Sequence, residues 1–209
     1  FSHGSAGIAW SLSLLYDHTG DSSFKQMAQQ ALEYERSLFL PEHNNWLDYR
    51  VPGDQQLVGP HWCNGAPGIG ISRMLMSDSF EDKQFKEEIR ITTQLTKETI
   101  NDSHCLCHGD LGNLLFLQFA AAKSNDSSLQ KMVDLKAQHI LKTIESVSDW
   151  ECGSIPGVQM PGLMLGLSGI GHGLLQLARP HEVPSPLYLE PPKNSQKRNF
   201  VEYQKAVNK

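Results

Sequence analysis

The chain has 209 residues, 39% hydrophobic and 20% charged, so it is long and apolar enough for one sizeable domain and is not a disordered segment. A net charge of −5, with basic residues grouped only in the short "KNSQKRNF", excludes nucleic acid as the main partner, and no apolar run approaches the roughly 18 residues of a membrane span. Four unevenly spaced cysteines and the lack of a signal segment argue for a reduced, cytoplasmic setting rather than a disulfide scaffold.

The chain opens at Phe1 directly on "FSHGSAG" and is read as a segment of a longer polypeptide. "IAWSLSLLYDHTG" is apolar nearly all round, which predicts a buried helix ending on Gly20 as its C-cap. "SSFKQMAQQALEYERSLF" places Phe24, Met27, Ala28, Ala31 and Leu32 at helical spacing, which predicts a half-exposed helix. "NWLDYRV" is the only short strand candidate. "CNGAPGIGI" then starts a second buried helix, and "EDKQFKEEIRITTQLTKETI" gives a second amphipathic one. "CHGDLGNLL" and "SLQKMVDLKAQHILKTIESV" repeat the pair, and "MLGLSGIGHGLL" starts a fourth buried helix. Residues 1–192 form one expected domain, and 193–209, after Pro191-Pro192, a polar tail.

The four buried helices share a frame. Each is opened by Gly-x-x-Gly: Gly4/Gly7, Gly65/Gly68, Gly109/Gly112 and Gly166/Gly169. Paired glycines permit positive φ and close backbone approach. Alternation of buried and half-exposed helices predicts an all-α architecture, an α/α toroid in which inner helices line a centre and outer ones wrap them. The loops at the inner helix N-termini then gather at one end.

That gathering brings chemistry together. Cys63 and Cys107 stand two residues before the first glycine of their motifs, and His108 and His3 stand one before theirs. Two thiols and one imidazole with an open fourth position make a catalytic zinc pattern, and sulfur ligands disfavour magnesium and calcium. Adjacent Cys107 and His108 can serve one ion only where the backbone is irregular. Cys105 is a rival ligand by proximity but lies off the frame, and Cys152 reads as a loop cysteine. The alternative for any single cysteine is a buried, inert thiol. His3 suits general acid/base work beside such a centre. His61 and His104 are candidates to support the ligands. His172, one turn into the last inner helix, is a candidate to face the centre. His18, His43, His139 and His181 read as surface residues.

"FSHGSAGIAW", "WCNGAPGIGISR", "CHGDLGNLLFL", "PGLMLGLSGIGHGLLQLARP" and "VPSPLYLEPP" together resemble the lanthionine synthetase C-like family. More closely, they look like the C-terminal cyclase domain of class II lanthipeptide synthetases. The resemblance implies a toroid of seven inner and seven outer helices, of which about four repeats lie here. It implies a dehydratase domain and a catalytic aspartate upstream, which no residue here can match. Carried over position by position, it implies Cys63, Cys107 and His108 as zinc ligands and His3 as the active-site histidine. Asn64 stands where relatives often have histidine or tyrosine, and is not a ligand. The implied reaction is addition of a precursor-peptide cysteine thiol to dehydroalanine or dehydrobutyrine, closing a thioether ring. Zinc would ionise the thiol, and His3 would protonate the resulting enolate. The rival readings are a related zinc toroid that binds glutathione or peptides, and a fragment inactive by itself. A carbohydrate-active α/α barrel would need a pair of acidic residues facing the centre, and the acidic residues near the motifs, such as Asp110, are not spaced as such a pair.

Overall fold

Each Gly-x-x-Gly stretch opens a helix, as the repeat frame predicts. The structure is a computed structural model that describes residues 1–49, 59–77, 80, 82–99, 103–147 and 149–190; the expected polar tail at 193–209 lies outside these described residues. The inner helices are α1 (Ser5–Thr19), α3 (Ala66–Met76), α5 (Asp110–Ser124) and α7 (Leu167–Ala178). The amphipathic patterns become α2 (Ser22–Arg36), α4 (Phe85–Glu98) and α6 (Ser127–Val147). The inner helices pack side by side in chain order, and α2, α4 and α6 pack on α1, α3 and α5. This is the two-layer arrangement of the α/α toroid. No described helix is long and apolar enough to cross a membrane.

The glycines act through close approach alone. The first glycine of every motif is an extended N-cap, with φ between −108° and −174°. Among the described glycines, positive φ occurs only at Gly20 and Gly157, so of the two properties that paired glycines permit the motifs use close approach. The second glycine lies against the backbone carbonyl six residues earlier. A Cβ on Gly7, Gly68, Gly112 or Gly169 would stand 1.6–2.3 Å from the carbonyl oxygen of Phe1, Trp62, Leu106 or Leu163. The loop thus folds back under its own helix, and any side chain would push the two apart. Gly112→Ala, whose Cβ would meet the Leu106 oxygen at 2.0 Å, is expected to lose about 1–3 kcal/mol of stability. Urea unfolding checks this, and wild-type stability would contradict it.

Burial separates the inner helices. Nearly every residue of α3 is buried, as are two thirds of α5. By contrast α1 buries only Ala6, Ala9 and Ser13 and leaves Ile8 58% and Leu15 44% exposed. The sequence predicts burial all round for α1, and the difference is positional. Helices α3 and α5 have an inner neighbour on both flanks, whereas α1 packs on α3 alone. Helix α7 likewise exposes Leu175 at 58%. Gly20 caps α1 as predicted, with φ 70° and its N–H donating to the Tyr16 carbonyl.

Two further features position the site. The strand candidate is half of a hairpin, in which β1 (Phe39–Leu40) pairs antiparallel with β2 (Asn45–Trp46). Trp46 anchors it against Ala6, Ile69 and Ile91, on α1, α3 and α4. The rest of that stretch beyond residue 49 is outside the described residues. The second feature is an ion network under α3. Arg73 is fully buried, with Nε donating to Glu88 at 2.7 Å and Nη2 donating to Glu35. Arg36 shares Glu88 at 2.6 Å and reaches Asp82 at 2.8 Å. One inner and two outer helices are thereby tied through α3.

Candidate metal centre

The motif loops gather because their backbones are hydrogen-bonded to one another in register. The position two before the first glycine is Cys63, Cys107 and Met164 in the last three motifs. The Cys63 N–H donates to the Cys107 carbonyl at 3.3 Å, and the Cys107 N–H to the Met164 carbonyl at 3.0 Å. The His3 N–H donates to the Cys63 carbonyl at 3.1 Å. Equivalent positions of the last three motifs are therefore stacked side by side, with His3 of the first motif joined to them one position out of register, and the fourth motif offers Met164 backbone where two others offer a cysteine.

This ladder brings Cys63, Cys107 and His108 together. One ligand atom from each lies within 4.8 Å of the others, and no other trio of His, Cys, Asp or Glu does so among the described residues. Residues 106–108 form a turn before α5 begins, which is the irregular backbone that adjacent Cys107 and His108 need. Cys63 is buried, and Cys107 and His108 are half-buried. The Cys107 thiol is held far above its ordinary range, first by its hydrogen bond to Cys63 and then by burial. Two sulfurs this close cannot both ionise unaided. A cation between them reverses that balance, because a coordinating thiol is deprotonated outright. The donor set, two sulfurs and one imidazole with room for a fourth ligand, fits zinc.

The surroundings are also ordered. The Cys63 thiol donates to Asn64 Oδ1 at 3.0 Å, and Asn64 Nδ2 donates to Asp48 Oδ2 at 3.0 Å. Asp48 lies just beyond the hairpin, 16 positions from Asn64, and no spacing rule in the sequence pairs them. Gly153 forms the opposite wall. A Cβ there would stand 2.4 Å from Cys105 Sγ and 3.0 Å from His108 Nε2. Cys105 is fully buried behind the trio and is not in it, so the rival ligand becomes a backing residue. Cys152 is in a loop as expected, and is buried.

The histidines divide as follows. His3 is exposed, lies outside the trio, and lines a cavity of about 300 Å³ shared with Trp46, Asp48, Asn64 and Ile69. The His61 ring lies edge-on to His108, with centroids 5.9 Å apart. His104 accepts the Glu151 N–H at Nδ1, 3.0 Å, and returns its own N–H to the Glu151 carbonyl at 2.8 Å. Burial pushes its imidazole below the ordinary range. His104 therefore clamps the segment that carries Gly153 against the trio. His172 donates from Nε2 to the Pro184 carbonyl at 2.9 Å, so its ring nitrogen is engaged by a neighbouring segment. His18, His43, His139 and His181 are exposed, as read.

Comparison with known proteins bears on the family and the fold. Residues 1–189 match the family model described as lanthionine synthetase C-like protein. The chain is 31% identical over 193 residues to the lacticin 481/lactococcin biosynthesis protein of Lactococcus lactis subsp. lactis, covering 84% of this chain and 20% of that protein. It therefore spans about a fifth of that relative's length. Among solved structures it resembles nisin cyclase, with a TM-score of 0.63 and 17% identity, over 85% of this chain and 46% of that one.

Proposed function

Because the chain belongs to the lanthionine synthetase C-like family, we propose that it is the C-terminal part of a lanthionine cyclase domain, spanning 1–192, that closes thioether rings in a precursor peptide. The observation that carries this reading is the trio of Cys63, Cys107 and His108. These three residues would hold zinc, which when bound supplies the positive charge that keeps a thiol ionised near neutral pH. The substrate is a dehydrated lanthipeptide precursor, and the reaction is an addition in which nothing leaves. The peptide sulfur bonds to the β-carbon of dehydroalanine or dehydrobutyrine, the double-bond electrons move to the α-carbon and its carbonyl, and the α-carbon takes a proton.

The chain's own residues divide that work. Cys63, Cys107 and His108 fix the place where the thiol is presented. His3, held beside Cys63 by its backbone and opening on the adjoining cavity, delivers the proton. The cavity, lined by His3 and by Asn64, the residue after Cys63, gives the dehydrated residue a place. A dehydratase domain earlier in the same polypeptide would supply the dehydrated peptide, and a reducing cytoplasm would keep the four free cysteines reduced. The likeness to a biosynthesis protein of a lantibiotic, five times longer than the matched part, supports the class II arrangement.

A test uses the full-length polypeptide with a dehydrated peptide, following loss of free thiols by alkylation and mass spectrometry. His3→Asn is expected to lower kcat about 10²- to 10⁴-fold while zinc content stays at the wild-type level. Unchanged kcat would remove His3 from proton transfer. Wild-type protein that consumes no thiol would remove the cyclase reading. One observation favours a second reading, in which these repeats alone are inactive: the apolar flanks of α1 and α7 are open at Ile8, Leu15 and Leu175. Activity in the full polypeptide and none in the isolated segment would select it.

A further inference from the structure

Residues 183–190 have no regular secondary structure, yet they are braced by hydrogen bonds of their own. The Ser185 N–H donates to Glu190 Oε2 at 2.9 Å, and the Glu190 N–H returns to the Ser185 carbonyl at 3.0 Å. Closing this bracket places Leu189 at φ 52°, in the left-handed region that L-residues other than glycine avoid. Leu189 is turned out to solvent, and Leu187 is buried in the main core. The segment is a hook held in a strained shape by its own hydrogen bonds.

Three of the hook's contacts with the rest of the protein involve a ring or a backbone carbonyl. His172, on α7, donates to the Pro184 carbonyl at 2.9 Å. Tyr188 stacks on Phe119 of α5, with centroids 5.3 Å apart. Both anchor the hook to helices that pack on one another. The third contact differs. Trp62 Nε1 donates to the Leu187 carbonyl at 2.9 Å, across 125 positions of sequence. Trp62 belongs to the turn that leads into α3, and the next residue is Cys63. An indole N–H buried without an acceptor would be destabilising, so the Leu187 carbonyl fixes where the Trp62 ring lies. With the helices holding the hook, this bond acts on the turn.

We propose that the 183–190 hook is a positioning element for the metal centre, which fixes Trp62 through the Leu187 carbonyl and, through Trp62, the placement of Cys63. The proposal rests on the reading of Cys63, Cys107 and His108 as metal ligands. Groups that orient a ligand without touching the metal change affinity by about 10- to 100-fold when removed. A purely structural hook would lower stability and leave the metal's affinity and ligand geometry unchanged.

The test uses the full-length polypeptide, with zinc affinity measured by chelator competition and ligand geometry read from the absorption bands of the cobalt(II)-loaded protein. Trp62→Phe keeps a ring and removes the N–H. Leu187→Ala loosens the carbonyl's anchor and serves if Trp62→Phe does not fold. Leu32→Ala, in the separate α1–α2 core cluster, is the stability control. The expected result is about 10- to 100-fold weaker zinc binding and shifted cobalt bands in the hook variants, with neither change in the control. Wild-type affinity and bands in Trp62→Phe, or equal changes in Leu32→Ala, would overturn the proposal. Wild-type protein that takes up no zinc would overturn the metal reading and the hook's role with it, and that result is visible before any variant is made.

Discussion

Replacing Cys63 or Cys107 with alanine is expected to remove the metal and stop ring formation while the protein stays folded. Four-ligand zinc sites hold their metal with roughly 10–16 kcal/mol, so each ligand accounts for about 3–4 kcal/mol, or on the order of 10²- to 10³-fold in affinity. Either variant should therefore lose its zinc to a moderate chelator that wild type resists. His108→Ala should behave the same way. Stability should change little without metal, because the Cys107 thiol, pushed up by its hydrogen bond to Cys63 and by burial, is not a charge that holds the fold together. Cys105→Ala is the informative comparison. Cys105 is buried next to the trio but outside it, so this variant should retain stoichiometric zinc. Metal retained in Cys63→Ala and lost in Cys105→Ala would reverse the assignment.

The second large effect is expected from Arg73→Met, measured by denaturant unfolding. Arg73 is fully buried between Glu35 and Glu88, and its removal leaves two carboxylates without their shared cation. Breaking a buried pair from one side typically destabilises by about 3–5 kcal/mol. The same network gives a pH dependence whose sign is fixed. Burial works to raise the Glu88 carboxyl, but the Arg36 and Arg73 guanidiniums outweigh it and hold it below the ordinary value of 4.5. A carboxylate depressed on folding stabilises the protein above its unfolded value, and that stability is lost as pH falls through the folded one. Wild type should therefore lose stability steeply below about pH 4.5. Glu88→Gln should start less stable at neutral pH and show a shallower acid slope. Parallel pH profiles would show that Glu88 is not depressed.

The readable part of the fold is the part written locally. The second glycine of each motif is dictated by a carbonyl six residues away, so its signal survives in a short window and marks all four inner helices. Cys63, Cys107 and His108 could be grouped because the frame assigns them equivalent positions, and the backbone ladder through Met164 makes that equivalence physical. What could not be read depends on distant partners. Arg73 sits in "GISRMLM" without any local sign that it is buried, since Glu35 and Glu88 come from the outer helices before and after it. The pairing of Asn64 with Asp48, the hold of Leu187 on Trp62, and the clamp of His104 on Glu151 are likewise long-range. The one-sided exposure of α1 was misjudged because its own composition matches α3, and only the missing flank neighbour distinguishes them.

The most direct measurement is X-ray absorption at the zinc edge of the full-length polypeptide loaded with one equivalent of zinc. Two sulfur neighbours at about 2.3 Å and at least one imidazole nitrogen at about 2.0–2.1 Å are expected, with one sulfur missing in Cys107→Ala. A shell of oxygen and nitrogen alone, or two sulfurs that persist in Cys107→Ala, would contradict the assignment of Cys63, Cys107 and His108 as the metal centre.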